Sequence, residues 1–160
     1  MKIALCSDNH GLTEALEIIK RENPDCDYYW HLGDSQADTP EEISPFISVK
    51  GNNDWPNIFP RFRVLSANGH YFFLIHGDGY IYNLKNLVEL ARNNGCQTVL
   101  FGHTHIFTHT QLMGMELINP GSCCYNRNGE GPTYAILHID DNGNLKLEKK
   151  FIDKNPEFFL

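Results

Sequence analysis

Short apolar runs that break abruptly into clusters of Gly, Asp, Asn and His constrain the fold of this chain more than any other feature. Lys2 to Ser7 runs into Asp8-Asn9-His10, Tyr28 to Leu32 into Gly33-Asp34, and Ile47 to Val49 into Gly51-Asn52-Asn53-Asp54. His70 to Ile75 runs into His76-Gly77-Asp78, and Thr98 to Phe101 into Gly102-His103-Thr104-His105. Runs of this length, bounded by turn-forming residues, predict buried strands. Between the first two, Leu12, Ala15, Leu16 and Ile19 follow helical spacing until Asn23-Pro24. Thr39-Pro40-Glu41-Glu42, with a Thr cap and Pro at the first helical position, predicts a second, short helix. Strand, loop and helix in repetition imply an α/β sheet with parallel strands.

The later chain changes character. Arg61 to Ala67 and His70 to Ile75 flank Asn68-Gly69, a hairpin signal. A helix is predicted from about Asn83 to Asn94, with Leu84, Leu87, Val88 and Ala91 on one face and Gly95 as its stop. Two more hairpins follow, Thr108 to Met113 with Met115 to Ile118, and Thr133 to Ile139 with Leu145 to Ile152.

At 160 residues, with no linker or repeat, the chain reads as a single domain, 1–160. No apolar run reaches membrane-spanning length, and Asp8 comes too early for a signal peptide, so a cytoplasmic protein is expected. Five cysteines without CxxC spacing argue against a disulfide framework. The net charge of -7 argues against a nucleic-acid coat, because phosphate backbones are bound by Lys and Arg. It leaves room for a small phosphorylated substrate held by metal ions, which bring their own positive charge.

In open α/β sheets, ligands gather beyond the carboxyl ends of strands. Asp8, His10, Asp34, Asn52, His76, His103 and His105 would then converge. Singly, each has a plainer explanation as a cap, a turn residue or a hydrogen-bonded core histidine. His103 and His105, taken alone, would share one face of a strand and one ion. Together, two carboxylates, one amide oxygen and four imidazoles suit two metals with open positions.

In order, these clusters resemble the pattern of the calcineurin-like metallophosphoesterase superfamily: D-x-H, G-D, G-N-x-D/E, a histidine after a strand, and G-H-x-H. Asn119-Pro120-Gly121-Ser122 looks most like its small prokaryotic phosphodiesterase branch, the YfcE-like family. The resemblance implies a four-layer αββα sandwich of two mixed β-sheets flanked by helices. It also implies a binuclear metal centre, with Asp8, His10 and His105 on one ion, Asn52, His76 and His103 on the other, and Asp34 bridging. Manganese is the foremost expectation, with Ni, Zn, Fe or Co as alternatives. A hydroxide between the metals would attack phosphorus in a small phosphodiester or phosphomonoester.

Asp8, His10, Asp34, Asn52, Asn53 and Asp54 form the implied catalytic set, and Asn9, Asn53 and Arg127 are the implied substrate contacts. Two positions depart from the pattern. Asn53 stands where many relatives carry His, and an amide cannot protonate a leaving group near neutral pH. That predicts slow turnover of alkyl monoesters and a preference for diesters or activated esters. Asp78 stands where a second His is common and is expected beside a ligand imidazole. Lys50, Arg61 and Arg63 are candidates by proximity in sequence. The alternatives are a non-catalytic scaffold resembling the small retromer subunit, and a nuclease. Tyr80, Tyr82 and Phe158-Phe159 are the aromatics available to a homo-oligomer interface.

Overall fold

A computed structural model describes residues 1–153. Ten strands form two five-stranded sheets among these residues. The first sheet contains β1 (Lys2–Cys6), β2 (Tyr28–His31), β3 (Ile47–Ser48), β9 (Thr133–Ile139) and β10 (Leu145–Phe151), in the order β10-β9-β1-β2-β3. The second contains β4 (Phe62–Ala67), β5 (His70–Ile75), β6 (Thr98–Leu100), β7 (Phe107–Leu112) and β8 (Met115–Pro120), in the order β4-β5-β6-β8-β7. Both are mixed. β1, β2 and β3 run parallel, as do β5, β6 and β8, while β9 is antiparallel to both its neighbours, β1 and β10, and β4 and β7 are antiparallel to β5 and β8.

Strand alternation builds the layers. In β1, Ile3 and Leu5 point into an inter-sheet core with Trp30, Phe72, Leu74, Leu100 and Leu137. Ala4 and Cys6 point the other way, onto Leu16 and Ile19 of α1 (Thr13–Glu22). In β5, Phe72 and Leu74 face the inter-sheet core, while Phe73 and Ile75 face Leu87, Val88 and Ala91 of α2 (Leu84–Asn93). The order is therefore helix, sheet, sheet, helix, as the resemblance implies. Because each sheet has three parallel strands, their carboxyl-end loops collect along one edge of the sandwich.

The helix expected at Thr39 is a single 3-10 turn, Pro40–Ile43. The Thr39 side chain makes no capping bond there. Glu42 instead caps the Asp38 amide at 3.1 Å. Pro45, which has no N–H and biases Ser44 towards extended backbone, stops the turn. Of the aromatics named for an interface, Tyr80 packs partly buried beside α2, Tyr82 is fully exposed, and Phe158-Phe159 lie outside the described residues.

Candidate metal centre

Five of the seven expected ligands adopt left-handed backbone: Asp8, His10, Asp34, His103 and His105 have φ between 45° and 68°. For residues other than glycine this conformation is uncommon, and strain of this kind clusters at functional sites. Two glycines let the loops close. A Cβ at Gly51 would overlap the backbone nitrogen and carboxylate of Asp34, and one at Gly102 would overlap Ser7 Oγ and Asp8 Oδ2.

The side chains meet in two adjoining lobes. In the first, His10 Nε2 and His105 Nε2 lie 3.1 Å apart, with Asp8 Oδ1 3.2 Å from the latter and 3.7 Å from the former. In the second, Asn52 Oδ1 is 3.0 Å from His76 Nε2 and 3.1 Å from His103 Nδ1, and those two nitrogens are 3.2 Å apart. Asp34 Oδ2 stands between the lobes, 3.3 Å from His76 Nε2 and 3.8 Å from His10 Nε2. Asp8 Oδ1 also faces His76 Nε2, at 3.7 Å. His103 and His105 thus turn to different lobes, because both lie in a loop of left-handed residues beyond the end of β6.

The donor set fits cations on two counts. Asp8 Oδ1 is buried and has no hydrogen-bond partner, whereas Oδ2 accepts from Ser7 Oγ at 2.5 Å and the His103 amide at 3.0 Å. A buried carboxylate oxygen left without a partner is costly unless something positive faces it. Second, His105 Nδ1 donates to the Tyr125 carbonyl at 2.9 Å, and His10 Nδ1 donates to Gln36 Oε1 at 3.1 Å. With those protons on Nδ1, both Nε2 lone pairs point at each other and need a proton or metal between them. His76 is oriented likewise, its Nδ1 donating to the Leu32 carbonyl at 2.7 Å.

The electrostatics agree. Burial favours a neutral Asp8, but His10, His105, His76 and Ser7 together outweigh it and hold the carboxyl well below the usual range. Asp34, also opposed by burial, is brought down to about 2 by His76 and Asn53. Asp8 raises the pKa of His10; His76 rises against the penalty of its own burial, through Asp34 and Asp8. Carboxylates that stabilise positive charge on imidazoles would stabilise a bound metal in the same way.

The remaining expected residues divide. Asn53 is at the site, its amide N–H and side-chain Nδ2 donating to Asp34 Oδ1 and Oδ2 at 2.8 and 2.9 Å. Asp54 points away from it and accepts from the backbone amides of Asp34, Gly51 and Gln36 at 2.7 to 2.9 Å, clamping two loops together. Asn9 is fully buried, with its Oδ1 accepting from His31 Nε2 at 2.8 Å. Arg127 is exposed at the rim, its amide donating to the His105 carbonyl at 3.0 Å. Asp78 pairs with Arg61, Arg63 donates to the Ser48 carbonyl, and Lys50 donates to the Gly51 carbonyl.

Sequence reasoning missed Ser7, Gln36, Tyr125 and His31. Ser7 stands beside the first expected ligand, which is a signal of a kind. The Gln36 and Tyr125 contacts span 26 and 20 residues, so nothing local marks them. His31 is a buried tie between loops: besides Asn9, its Nδ1 accepts from the Gly33 amide at 3.1 Å. Burial pushes its pKa from 6.5 down to about 4. The unfolded chain therefore takes up a proton below pH 6.5 that the folded chain refuses until about pH 4. Stability from this group is full above pH 6.5 and falls by about 3 kcal/mol towards pH 4. Urea unfolding of the metal-free protein between pH 7 and 4.5 should show one proton's worth of slope that His31→Gln lacks. Parallel curves would contradict it.

Nitrogen and oxygen donors gathered at the shared carboxyl edge of two mixed sheets define a metal-binding α/β sandwich. The model of the calcineurin-like phosphoesterase superfamily domain matches residues 1–142, and the chain belongs to that superfamily. It is 34% identical over 146 residues to the probable metallophosphoesterase YsnB of Bacillus subtilis, spanning 89% of this chain and 86% of the relative. A crystal structure of a predicted phosphoesterase from Streptococcus pneumoniae superposes with a TM-score of 0.84 at 26% identity, covering 95% of this chain and 90% of that one. Vps29 of Entamoeba histolytica shares the fold at a TM-score of 0.73 and 20% identity, covering 94% and 98% of the two chains.

Proposed function

We propose that this protein is a two-metal phosphoric ester hydrolase acting on phosphodiesters or activated esters. The buried, partnerless Asp8 Oδ1 facing the Nε2 atoms of His105, His10 and His76 carries the reading. Asp8, His10 and His105 would hold one divalent ion, Asn52, His76 and His103 the other, and Asp34 would reach both. The nitrogen and oxygen donors suit Mn foremost, or Ni, Zn, Fe or Co. Ions bound there would polarise a phosphoryl oxygen and activate water for attack on phosphorus. We further take residues 1–160 as one domain of a cytoplasmic protein; no helix of the described residues is long and apolar enough to cross a membrane.

The chain's own residues set the substrate preference. Asn53, already bonded to Asp34 through one side-chain N–H, would donate the other to a phosphate oxygen, and Arg127 would supply positive charge beside the loop of His105. Neither is an acid near neutral pH. Asp54 is saturated by three backbone amides and Asp78 is paired with Arg61. A leaving group must therefore depart without a proton from these side chains, which favours aryl and other stabilised leaving groups.

Metal-loaded protein should hydrolyse bis(4-nitrophenyl) phosphate and lose that activity to chelator. Absence of any metal-stimulated hydrolysis would favour the scaffold reading that Vps29-like folds keep open. Asn53→His should raise turnover of esters with poor leaving groups by about 100-fold, the low end of general acid catalysis. No gain at normal metal content would contradict the role given to Asn53.

A further inference from the structure

We infer that Tyr125 is a specificity-determining residue that stacks on a planar aromatic group, aryl or nucleobase, of the phosphoric ester bound at the centre. This rests on the phosphoesterase reading above. The loop after β8 is tied to one ligand histidine on both sides: the Tyr125 carbonyl accepts from His105 Nδ1 at 2.9 Å, and the Arg127 amide donates to the His105 carbonyl at 3.0 Å. The Tyr125 ring lies beside that histidine, with centroids 6.4 Å apart and planes at 68°. Its own position is fixed from below. Ser122 Oγ accepts from the Tyr125 amide at 2.8 Å and donates to the Asp8 carbonyl at 2.8 Å. Next in sequence, Asn126 is buried and bonded to the Ser122 amide, the Gly131 carbonyl and Thr133 Oγ1.

Despite this anchoring, the tyrosine is 63% exposed. An exposed aromatic is ordinary on a surface. One carried on a tightly bonded loop beside a histidine of the centre is a preorganised platform, because little loop freedom remains to be lost when a flat group stacks on it and a tyrosine ring has only two side-chain torsions to fix. His105 points its Nε2 at the centre, and the exposed Tyr125 ring beside that imidazole would offer its face to the ester substituent of a phosphoryl group bound there.

Calorimetric titration of the Mn-loaded full chain with phenylphosphonate and methylphosphonate isolates the contact, since both carry the same phosphonate head. Wild type should bind phenylphosphonate about tenfold more tightly, as expected for one stacked ring. Tyr125→Ala should weaken phenylphosphonate about tenfold and leave methylphosphonate unchanged. Tyr125→Phe, which keeps the ring and drops the hydroxyl, should bind as wild type. Equal binding of both compounds by wild type, or a preference that survives Tyr125→Ala, would overturn the inference and leave the phosphoesterase reading standing. If Mn binds but neither phosphonate does, both fall together.

Discussion

Asp8→Asn is expected to empty the first lobe and cut kcat/KM on an aryl diester by on the order of a thousandfold, beyond the 10- to 100-fold typical of residues that only orient a ligand. Hydrogen bonding dictates which way the new amide turns. The Oδ2 position accepts from Ser7 Oγ and the His103 amide, so it retains the amide oxygen. The NH2 group must then take the Oδ1 position, within 3.2 to 3.7 Å of three imidazole nitrogens. Two N–H donors would point where a cation belongs, and an amide nitrogen offers no lone pair to a metal. The near-isosteric change would thus do more than remove one charge. Metal analysis and diester hydrolysis on the purified variant check it. Retention of full metal content, or a loss below tenfold, would contradict the place given to Oδ1.

Gly51→Ala is expected to lower stability by about 3 kcal/mol, the upper range for overpacking a tight site, and to weaken metal binding as well. The added methyl group meets the backbone nitrogen and the carboxylate of Asp34, not the movable end of a long side chain. The backbone cannot yield easily, because Asp54 Oδ2 holds the Gly51 amide at 2.7 Å and the Asp34 amide at 2.9 Å. Gly51 has no positive φ, so the whole effect would come from contact and none from backbone conformation. The urea midpoint of the metal-free variant measures it. A shift worth less than about 0.5 kcal/mol, within the range of ordinary surface changes, would show that the two loops are more compliant than this bonding implies.

How much of this was legible in the residues depends on how local each cause is. The clusters after β1, β2, β3, β5 and β6 could be read directly, since abrupt apolar-to-polar breaks mark strand ends and the chemistry lies in the side chains there. The hairpin at Asn68-Gly69 and the helix after Asn83 carry their own turn and cap chemistry, and both formed. Thr39 shows the limit of such signals: its cap-and-proline signature yielded one 3-10 turn, because Pro45 follows too closely for more.

Long-range pairing was less accessible. β9 lies beside β1, with Ile3 opposite Leu137, and no local pattern predicts that partner. The same holds within the site. Asn9, between two proposed ligands in sequence, turns inward to His31, since left-handed backbone at Asp8 and His10 sends neighbouring side chains apart. Gln36 and the Tyr125 carbonyl orient His10 and His105 through contacts that exist only once neighbouring strands have paired, β1 with β2 and β6 with β8.

Metal content at saturation, in wild type and two single variants, tests the two-lobed centre most directly. After equilibration with excess Mn and removal of free ion, wild type should hold two ions per chain. His105→Ala and His103→Ala should each hold about one, because the two imidazoles face different lobes. A single ion in wild type at saturation, or loss of both ions in each variant, would contradict the division of ligands on which this account stands.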